Sequence, residues 1–170
     1  MNGNVQLFNP KNRALQIIAH RGFDHAFLQL FENVHADEPS ACGRAFRNRC
    51  RVMISDITKD RSFSPYVSVA RANGFCAVQS TPIVAPDRSA IGMLSTHFAE
   101  VHHLSDEEEI ALDNHAARIS RLIIELFDVA IVQLRSHPGL FLGGNPSWPA
   151  VWANATDTCR AQHGENLASY

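Results

Sequence analysis

One strongly apolar stretch, CAVQSTPIVAPDRSAIGMLSTHF, carries polar side chains at many places where a plain core strand would have Val or Ile. It extends from Cys76 to Phe98, and its polar residues are Gln79, Ser80, Thr81, Ser95, Thr96 and His97. Side chains of these types can line a pocket that holds a small molecule. They can also pair with one another across neighbouring strands, as Ser and Thr routinely do. The two interpretations differ in whether a pocket lies beside this stretch.

Cysteine and histidine offer little metal or catalytic chemistry in this chain. The four cysteines, at positions 42, 50, 76 and 159, form no CxxC pair, and the nine histidines are scattered. The motifs GxSxG, HExxH, GxGxxG and the phosphate-binding P-loop do not occur. The acidic run from Asp106 to Glu109 suits a helix start better than a metal cluster. We therefore predict no metal site, free thiols and no catalysis by this chain.

Length and charge narrow the class of partner. The chain has 170 residues, which suits one domain, and a net charge of −2. This balance gives no attraction to nucleic acid or to an anionic membrane surface. No apolar run has the length of a membrane span, and the N-terminus lacks a signal-peptide pattern. We expect a cytoplasmic protein that binds neither nucleic acid nor membranes.

The first half of the chain alternates short strands and short helices. Asn4–Asn9 and Ala14–Phe23 predict a β-hairpin around a PKN turn. Two short helices follow, with Asp24 and Ser40 as their N-caps, and RVMISDI predicts a strand. A third helix is predicted in SPYVSVARANGF, with Ser64 as its cap.

The second half predicts two strands, a long helix and a tail. Cys76–Val84 and Ile91–Ala99 are strands joined by the loop APDRSA. Residues 104–136 form the long helix, in which Ser105 and Glu108 make a capping box. Its apolar stripe comprises Leu112, Ala116, Ile119, Ile123, Leu126 and Ala130. We predict one α+β domain over residues 1–136, with an antiparallel sheet, and a partly irregular tail over residues 137–170.

The order of these segments resembles the GAF domain. The segments LQIIAHRGF, ACGRAF, RVMISDITKD, ANGFCAVQSTPIV and IGMLSTHF, followed by a capped long helix, are similar to bacterial sensory GAF modules. The resemblance covers roughly residues 4–134. It implies a regulatory fold with a central antiparallel sheet, short helices and a small-molecule pocket on one face, and the long helix on the other.

The sequence departs from this pattern at its start. GAF domains begin with a helix that packs on the sheet face opposite the pocket, and here the chain enters the first strand directly. We therefore expect a GAF-like domain that lacks the first helix. The tail or a second copy would then cover the bare face. The apolar residues late in the long helix favour a homodimer, with Leu122, Ile123, Leu126 and Ala130 near the interface.

The resemblance also selects candidate ligand-binding residues. A histidine in phytochrome-type GAF domains faces the bound chromophore, and His97 stands at its place when the sequences are aligned on Gly92. Strand alternation puts four other side chains on the same face. The candidates from the two strands are therefore Val78, Ser80, Met93, Ser95 and His97. Tyr66 joins them because it lies near the place of the phytochrome Cys-His pair.

The identity of the cofactor stays open at this point. Bilin attachment is disfavoured because Pro65-Tyr66 replace the Cys-His pair, and no residue marks a haem ligand. The motif of cyclic-nucleotide-binding GAF domains is absent. Cys42-Gly43 resembles the Cys-Gly of free methionine sulfoxide reductases, but the acidic pocket residues of those enzymes are replaced here. We expect a sensory domain that binds a small molecule and acts through its last helix on a partner in trans. The alternatives are a dimerisation or scaffold module with an empty pocket, or the reductase.

Overall fold

Five antiparallel strands form one sheet in the computed structural model, which describes residues 2–136 and the side chains of residues 2–128. The strands are β1 (Asn2–Asn9), β2 (Ala14–Arg21), β3 (Val52–Ile54), β4 (Ala77–Val84) and β5 (Ala90–Phe98). Their order across the sheet is β2-β1-β5-β4-β3. The central pairing of β1 with β5 joins the two predicted hairpins, so the start of the chain lies beside the stretch from Cys76 to Phe98.

Three short helices and one long helix cover the sheet. They are α1 (His25–Leu30), α2 (Ala41–Asn48), α3 (Val67–Ala72) and α4 (Asp106–Ser136), and a 3₁₀ helix, Arg61–Tyr66, precedes α3. β1 begins at the first described residue. The α+β prediction is confirmed. The predicted tail, residues 137–170, lies outside the described residues.

The predicted caps are present at three helices. Asp24 Oδ1 accepts from the Phe27 N–H at 2.8 Å, and Ser40 Oγ accepts from the Gly43 N–H at 3.2 Å. The Ser105 N–H donates to Glu108 Oε2 at 2.9 Å, and the Glu108 N–H donates to Ser105 Oγ at 3.3 Å. These side chains satisfy N–H groups that have no partner within the helix.

The first helix is short, and the start of the third helical segment differs from the sequence prediction. The first helix ends at Leu30 because Val34 instead exchanges backbone hydrogen bonds with Leu15 of β2, at 2.8 and 3.0 Å. Ser64 is not the cap of the third helical segment. Asp60 accepts from the Phe63 N–H at 3.0 Å, so the turn begins earlier, as a 3₁₀ helix that contains Pro65.

The core has two parts, one on each face of the sheet. The larger part lies under the short helices, and its largest side chains are Leu15, Phe27, Phe31, Phe46, Ile54, Ile57, Phe63, Phe75 and Met93. The smaller part lies between the sheet and α4, where Ile83 and Ile91 pack with Ala116 and Ile123. The helix stripe predicted from Leu112 to Ile123 therefore covers the chain's own sheet.

Candidate functional site

A cavity of about 20 Å³ lies between the sheet and the short helices. Four of the six predicted ligand-binding residues line it, namely Val78, Ser80, Ser95 and His97. The lining also includes side chains that were not among these six candidates: Asn4, Gln6, Phe27, Phe31, Ser40, Ala41, Cys42, Phe63 and Phe75. The cavity thus has a polar wall formed by the strands and a mainly aromatic wall opposite.

Met93 and Tyr66 are not among the lining residues. Met93 is fully buried in the core beside the cavity, although it shares the strand face of Ser95 and His97. Tyr66 packs against Phe31 and Phe63, with ring centroids 5.2 and 5.4 Å away, and its hydroxyl donates to Glu38 at 3.3 Å. Strand alternation predicts which residues share a face of the strand. The packing of the short helices determines which residues of that face border the cavity.

Asn4 and Gln6 are polar lining residues that no sequence motif indicates. Both lie on β1, where Asn4 is opposite Ser95 and Gln6 is opposite Met93. The alternation in NVQLF puts them on one strand face, which is the signal that could have found them. Their place beside the cavity also depends on the pairing of β1 with β5, which joins residues 85 to 95 positions apart in the sequence.

Four polar atoms at this wall are buried without a hydrogen-bond partner. They are Asn4 Oδ1, both amide atoms of Gln6 and Nδ1 of His97. Asn4 is 6% exposed, Gln6 is 0% exposed and His97 is 5% exposed. Each such buried atom costs about 1–3 kcal/mol compared with a satisfied one. A group that enters the cavity and pairs with these atoms would recover that free energy.

Ser80 and Ser95 satisfy each other. The two residues are directly opposite on β4 and β5, and their hydroxyl oxygens lie 2.8 Å apart. This is the cross-strand pairing that the sequence left open as an alternative to a pocket. Cross-strand pairing therefore describes the two serines, which are paired. Pocket lining describes Gln6 and His97, which are not.

His97 is an uncharged ring held among aromatic side chains. It makes edge contacts with Phe23, Phe27 and Phe75, whose ring centroids lie 4.8, 5.7 and 4.6 Å away. Burial lowers the pKa of His97 from 6.5 to about 3, although a hydrogen bond to the backbone of Asn2 partly opposes this. The ring is therefore neutral at pH 7.

The depressed pKa of His97 predicts a loss of stability in acid. In the unfolded chain the ring takes up a proton as the pH falls through 6.5, while in the folded chain it stays neutral until about pH 3. Unfolding therefore becomes easier between these values, by up to about 1.4 kcal/mol per pH unit. Urea unfolding from pH 7 to pH 4 should show a weaker pH dependence for His97→Gln. The exposed control His20→Gln should retain it, and equal slopes for both variants would contradict the assignment.

The reverse face of the sheet carries a satisfied polar chain. Gln79 Nε2 donates to Thr96 Oγ1 at 2.7 Å, and Thr81 Oγ1 donates to Gln79 Oε1 at 2.7 Å. Arg51 Nε donates to Thr81 at 2.9 Å, and its guanidinium pairs with Asp113 and, at 3.2 Å, with Glu109 of α4. Gln79, Thr81 and Thr96 therefore lie on the face opposite to Ser80, Ser95 and His97. This series of polar side chains connects α4 to the face of β4 and β5 that is turned away from the cavity.

Comparisons with known proteins agree on the fold. No family model matches the sequence, and no curated protein matches it. Similar solved structures include a domain of a protein described as a two-component sensor histidine kinase from Sinorhizobium meliloti 1021, with a TM-score of 0.62 and 15% identity over 78% of this chain and 85% of that one. The GAF domain from Acinetobacter phosphoenolpyruvate-protein phosphotransferase has a TM-score of 0.61 and 16% identity over 76% of this chain and 73% of that one.

This chain has a GAF fold. The fold is also that of a type II free methionine-R-sulfoxide reductase from Thermoplasma acidophilum, with a TM-score of 0.58 and 16% identity over 73% of this chain and 79% of that one. Identities of this size establish a shared fold and no shared activity.

Cys42 is the cysteine that this GAF fold places at the cavity. Its Sγ lies 3.4 Å from Ser40 Oγ, and burial raises its pKa, so it is a thiol rather than a thiolate. The lining includes no Asp, Glu, Lys or Arg. Among the described residues no cluster of His, Cys, Asp and Glu could hold a metal ion, and no helix is long and apolar enough to cross a membrane.

The predicted interface residues on α4 do not share one environment. Ile123 is 9% exposed and packs against Ile83 and Ile91, so it covers the chain's own sheet. Leu122 and Leu126 are 51% and 70% exposed, and Phe127 beside them is 50% exposed. The side chain of Ala130 lies outside the described residues. Leu122, Leu126 and Phe127 are therefore the exposed large apolar side chains in the later described turns of α4, and Ile110, near its start, is 61% exposed.

Proposed function

We propose that this chain is a regulatory GAF domain that binds a small molecule in the cavity beside Gln6 and His97, without catalysis of its own. The observation that carries the proposal is the set of four unpaired polar atoms at one buried wall. Native proteins rarely leave such atoms without partners, so each exception calls for an explanation, such as a catalytic role or a bound ion or water. A bound molecule supplies the missing hydrogen bonds.

The proposed signal leaves the cavity through α4. The polar chain from Thr96 to Arg51 reaches the first turns of this helix, and Ser120 Oγ donates to the carbonyl of Val84 at 2.7 Å. A shift of β4 or β5 on ligand binding would therefore displace contacts of α4. The output is an effect on a second copy or on a signalling partner in trans.

Native mass spectrometry of protein purified from cells tests ligand binding. The expected spectrum shows the chain with an additional small mass that disappears after mild denaturation, and a thermal-shift screen of metabolites and nucleotides finds stabilising compounds. A spectrum without any additional mass, together with a screen that moves no melting temperature, favours the second candidate. That candidate is a dimerisation or scaffold module with an empty pocket.

The reductase is disfavoured by the state of Cys42. A nucleophilic cysteine reacts as the thiolate, whereas burial raises the pKa of this thiol. We expect no turnover of free methionine sulfoxide by the purified protein in an assay coupled to thiol reduction. Turnover that disappears in Cys42→Ser would instead establish the enzyme.

A homodimer through α4 is part of the proposal. Leu122 and Leu126 are spaced by one helical turn and are flanked by exposed charges of both signs, Arg118, Arg121, Glu125 and Asp128. Such a face is complementary to a second copy of itself, and burying each large side chain contributes about 1.5–3 kcal/mol.

Light scattering tests the dimer directly. The wild type is expected at twice the chain mass of 18.8 kDa, and the double variant Leu122→Asp with Leu126→Asp at the chain mass. Val101→Asp is the matched control because Val101 is 55% exposed outside α4, and it should remain dimeric. A wild type that stays monomeric at micromolar concentration contradicts this interface.

A further inference from the structure

The unpaired atoms at the cavity wall include more acceptors than donors. Asn4 Oδ1 and Gln6 Oε1 are acceptors, and Gln6 Nε2 is a donor. His97 hydrogen-bonds the backbone of Asn2 through its other ring nitrogen, so that nitrogen carries the proton and Nδ1 is an acceptor in the neutral ring. The wall therefore presents three acceptors and one donor.

A single water molecule does not satisfy this set. The cavity volume of about 20 Å³ is close to the space that one water needs. Water donates two hydrogen bonds at most, so one of the three acceptors would stay unpaired. The complementary group has N–H donors for all three acceptors and one acceptor for Gln6 Nε2.

The lining of the cavity also disfavours a charged ligand. The lining includes no ionisable side chain besides His97 and Cys42, which are both neutral, and the opposite wall is formed by Phe27, Phe31, Phe63 and Phe75. A cation or an anion would be buried there without a counter-charge, which costs far more than its hydrogen bonds return. Flat aromatic rings favour a flat ligand that packs against them.

We infer that the ligand is a small, uncharged, planar urea, with its N–H groups directed at Asn4, Gln6 and His97 and its C=O at the Gln6 amide. This inference rests on the proposed function and deepens it. Because the cavity is small, the ligand is a short chain or a single small ring, and its entry requires the phenylalanine side chains to move outward.

A series of five-membered rings of nearly equal shape tests this chemistry. Imidazolidin-2-one has two N–H groups, pyrrolidin-2-one has one and cyclopentanone has none, while all three have the C=O acceptor. Each donor that is missing leaves a buried acceptor unpaired. We therefore expect affinity to fall about 5- to 100-fold at each step, measured by titration of amide NMR shifts. The cation 2-aminoimidazolinium should not bind.

Two glutamine variants test whether the ring series binds at the cavity wall. Gln6→Met removes one acceptor and the donor with little change in volume, so it should weaken imidazolidin-2-one at least tenfold. Gln29→Met, on the exposed surface of α1, should leave the whole series unchanged.

Two results overturn the inference and leave the proposed function standing. The first is cyclopentanone or the cation binding as tightly as imidazolidin-2-one, since a ligand then binds with different chemistry. The second is no binding of the series at 10 mM while native mass spectrometry finds a ligand of another class. If the series fails and no ligand is found, the inference and the proposed function fail together.

Discussion

Replacing Gly92 with alanine is expected to lower the free energy of unfolding by about 3 kcal/mol. Gly92 lies on β5, where its backbone approaches β1 at the point that positions Gln6. A Cβ atom there would overlap the carbonyl oxygen of Gln6 and lie 3.0 Å from Leu7 Cδ2. Because the obstacle is backbone, β1 and β5 must separate to make room. Urea unfolding followed by circular dichroism measures the loss.

Gly74→Ala is the matched control for this prediction. Gly74 has a φ of +69°, and a Cβ at this position meets no atom within 4 Å. Its substitution by alanine should lower the free energy of unfolding only by the strain of a left-handed backbone conformation, about 1–2 kcal/mol. A larger loss at Gly74 than at Gly92 would show that the approach of β1 to β5 is not as close as described.

Replacing Gln6 with methionine is expected to raise the free energy of unfolding of the ligand-free protein, by about 1–3 kcal/mol. Methionine has nearly the same volume and has no amide, so it removes two unpaired polar atoms from a fully buried position. The same change should weaken ligand binding at least tenfold. Stability and function are then opposed at this residue, as is common at sites shaped by binding.

Gln79→Met is a control for which we expect the opposite change in the free energy of unfolding. Gln79 is also 0% exposed, but its amide donates to Thr96 at 2.7 Å and accepts from Thr81 at 2.7 Å. Its removal leaves both threonines without these partners, so we expect a loss of about 1–3 kcal/mol. If both glutamine variants shift stability in the same direction, the unpaired state of Gln6 is not the cause.

The sequence predicted those features that depend on local pattern. The resemblance to phytochrome-type GAF domains put His97 at the cavity, strand alternation put Ser80 and Ser95 on the same face, and the capping residues Asp24, Ser40 and Ser105 marked helix starts. These signals need only the residue types of a few neighbouring positions. The fold itself was predicted because the strands and helices follow one another in a known order.

The remaining features depend on contacts between distant segments. Asn4 and Gln6 became cavity residues through the pairing of β1 with β5, and no short pattern specifies that pairing. Ile123 was predicted near the dimer interface, although the rotation of α4 on the sheet turns it inward. Tyr66 was placed by a resemblance in position, and packing against Phe31 and Phe63 keeps it behind the lining.

The central claim is that Gln6 and His97 hold a small molecule. The most direct measurement is a crystal structure of protein purified from cells without added ligands, with density in the cavity interpreted before any molecule is placed. We expect planar density within hydrogen-bond distance of Gln6 Oε1, Gln6 Nε2 and His97 Nδ1, larger than one water molecule. A cavity that contains a single water, or nothing, with the wall atoms unpaired as described, would contradict the account.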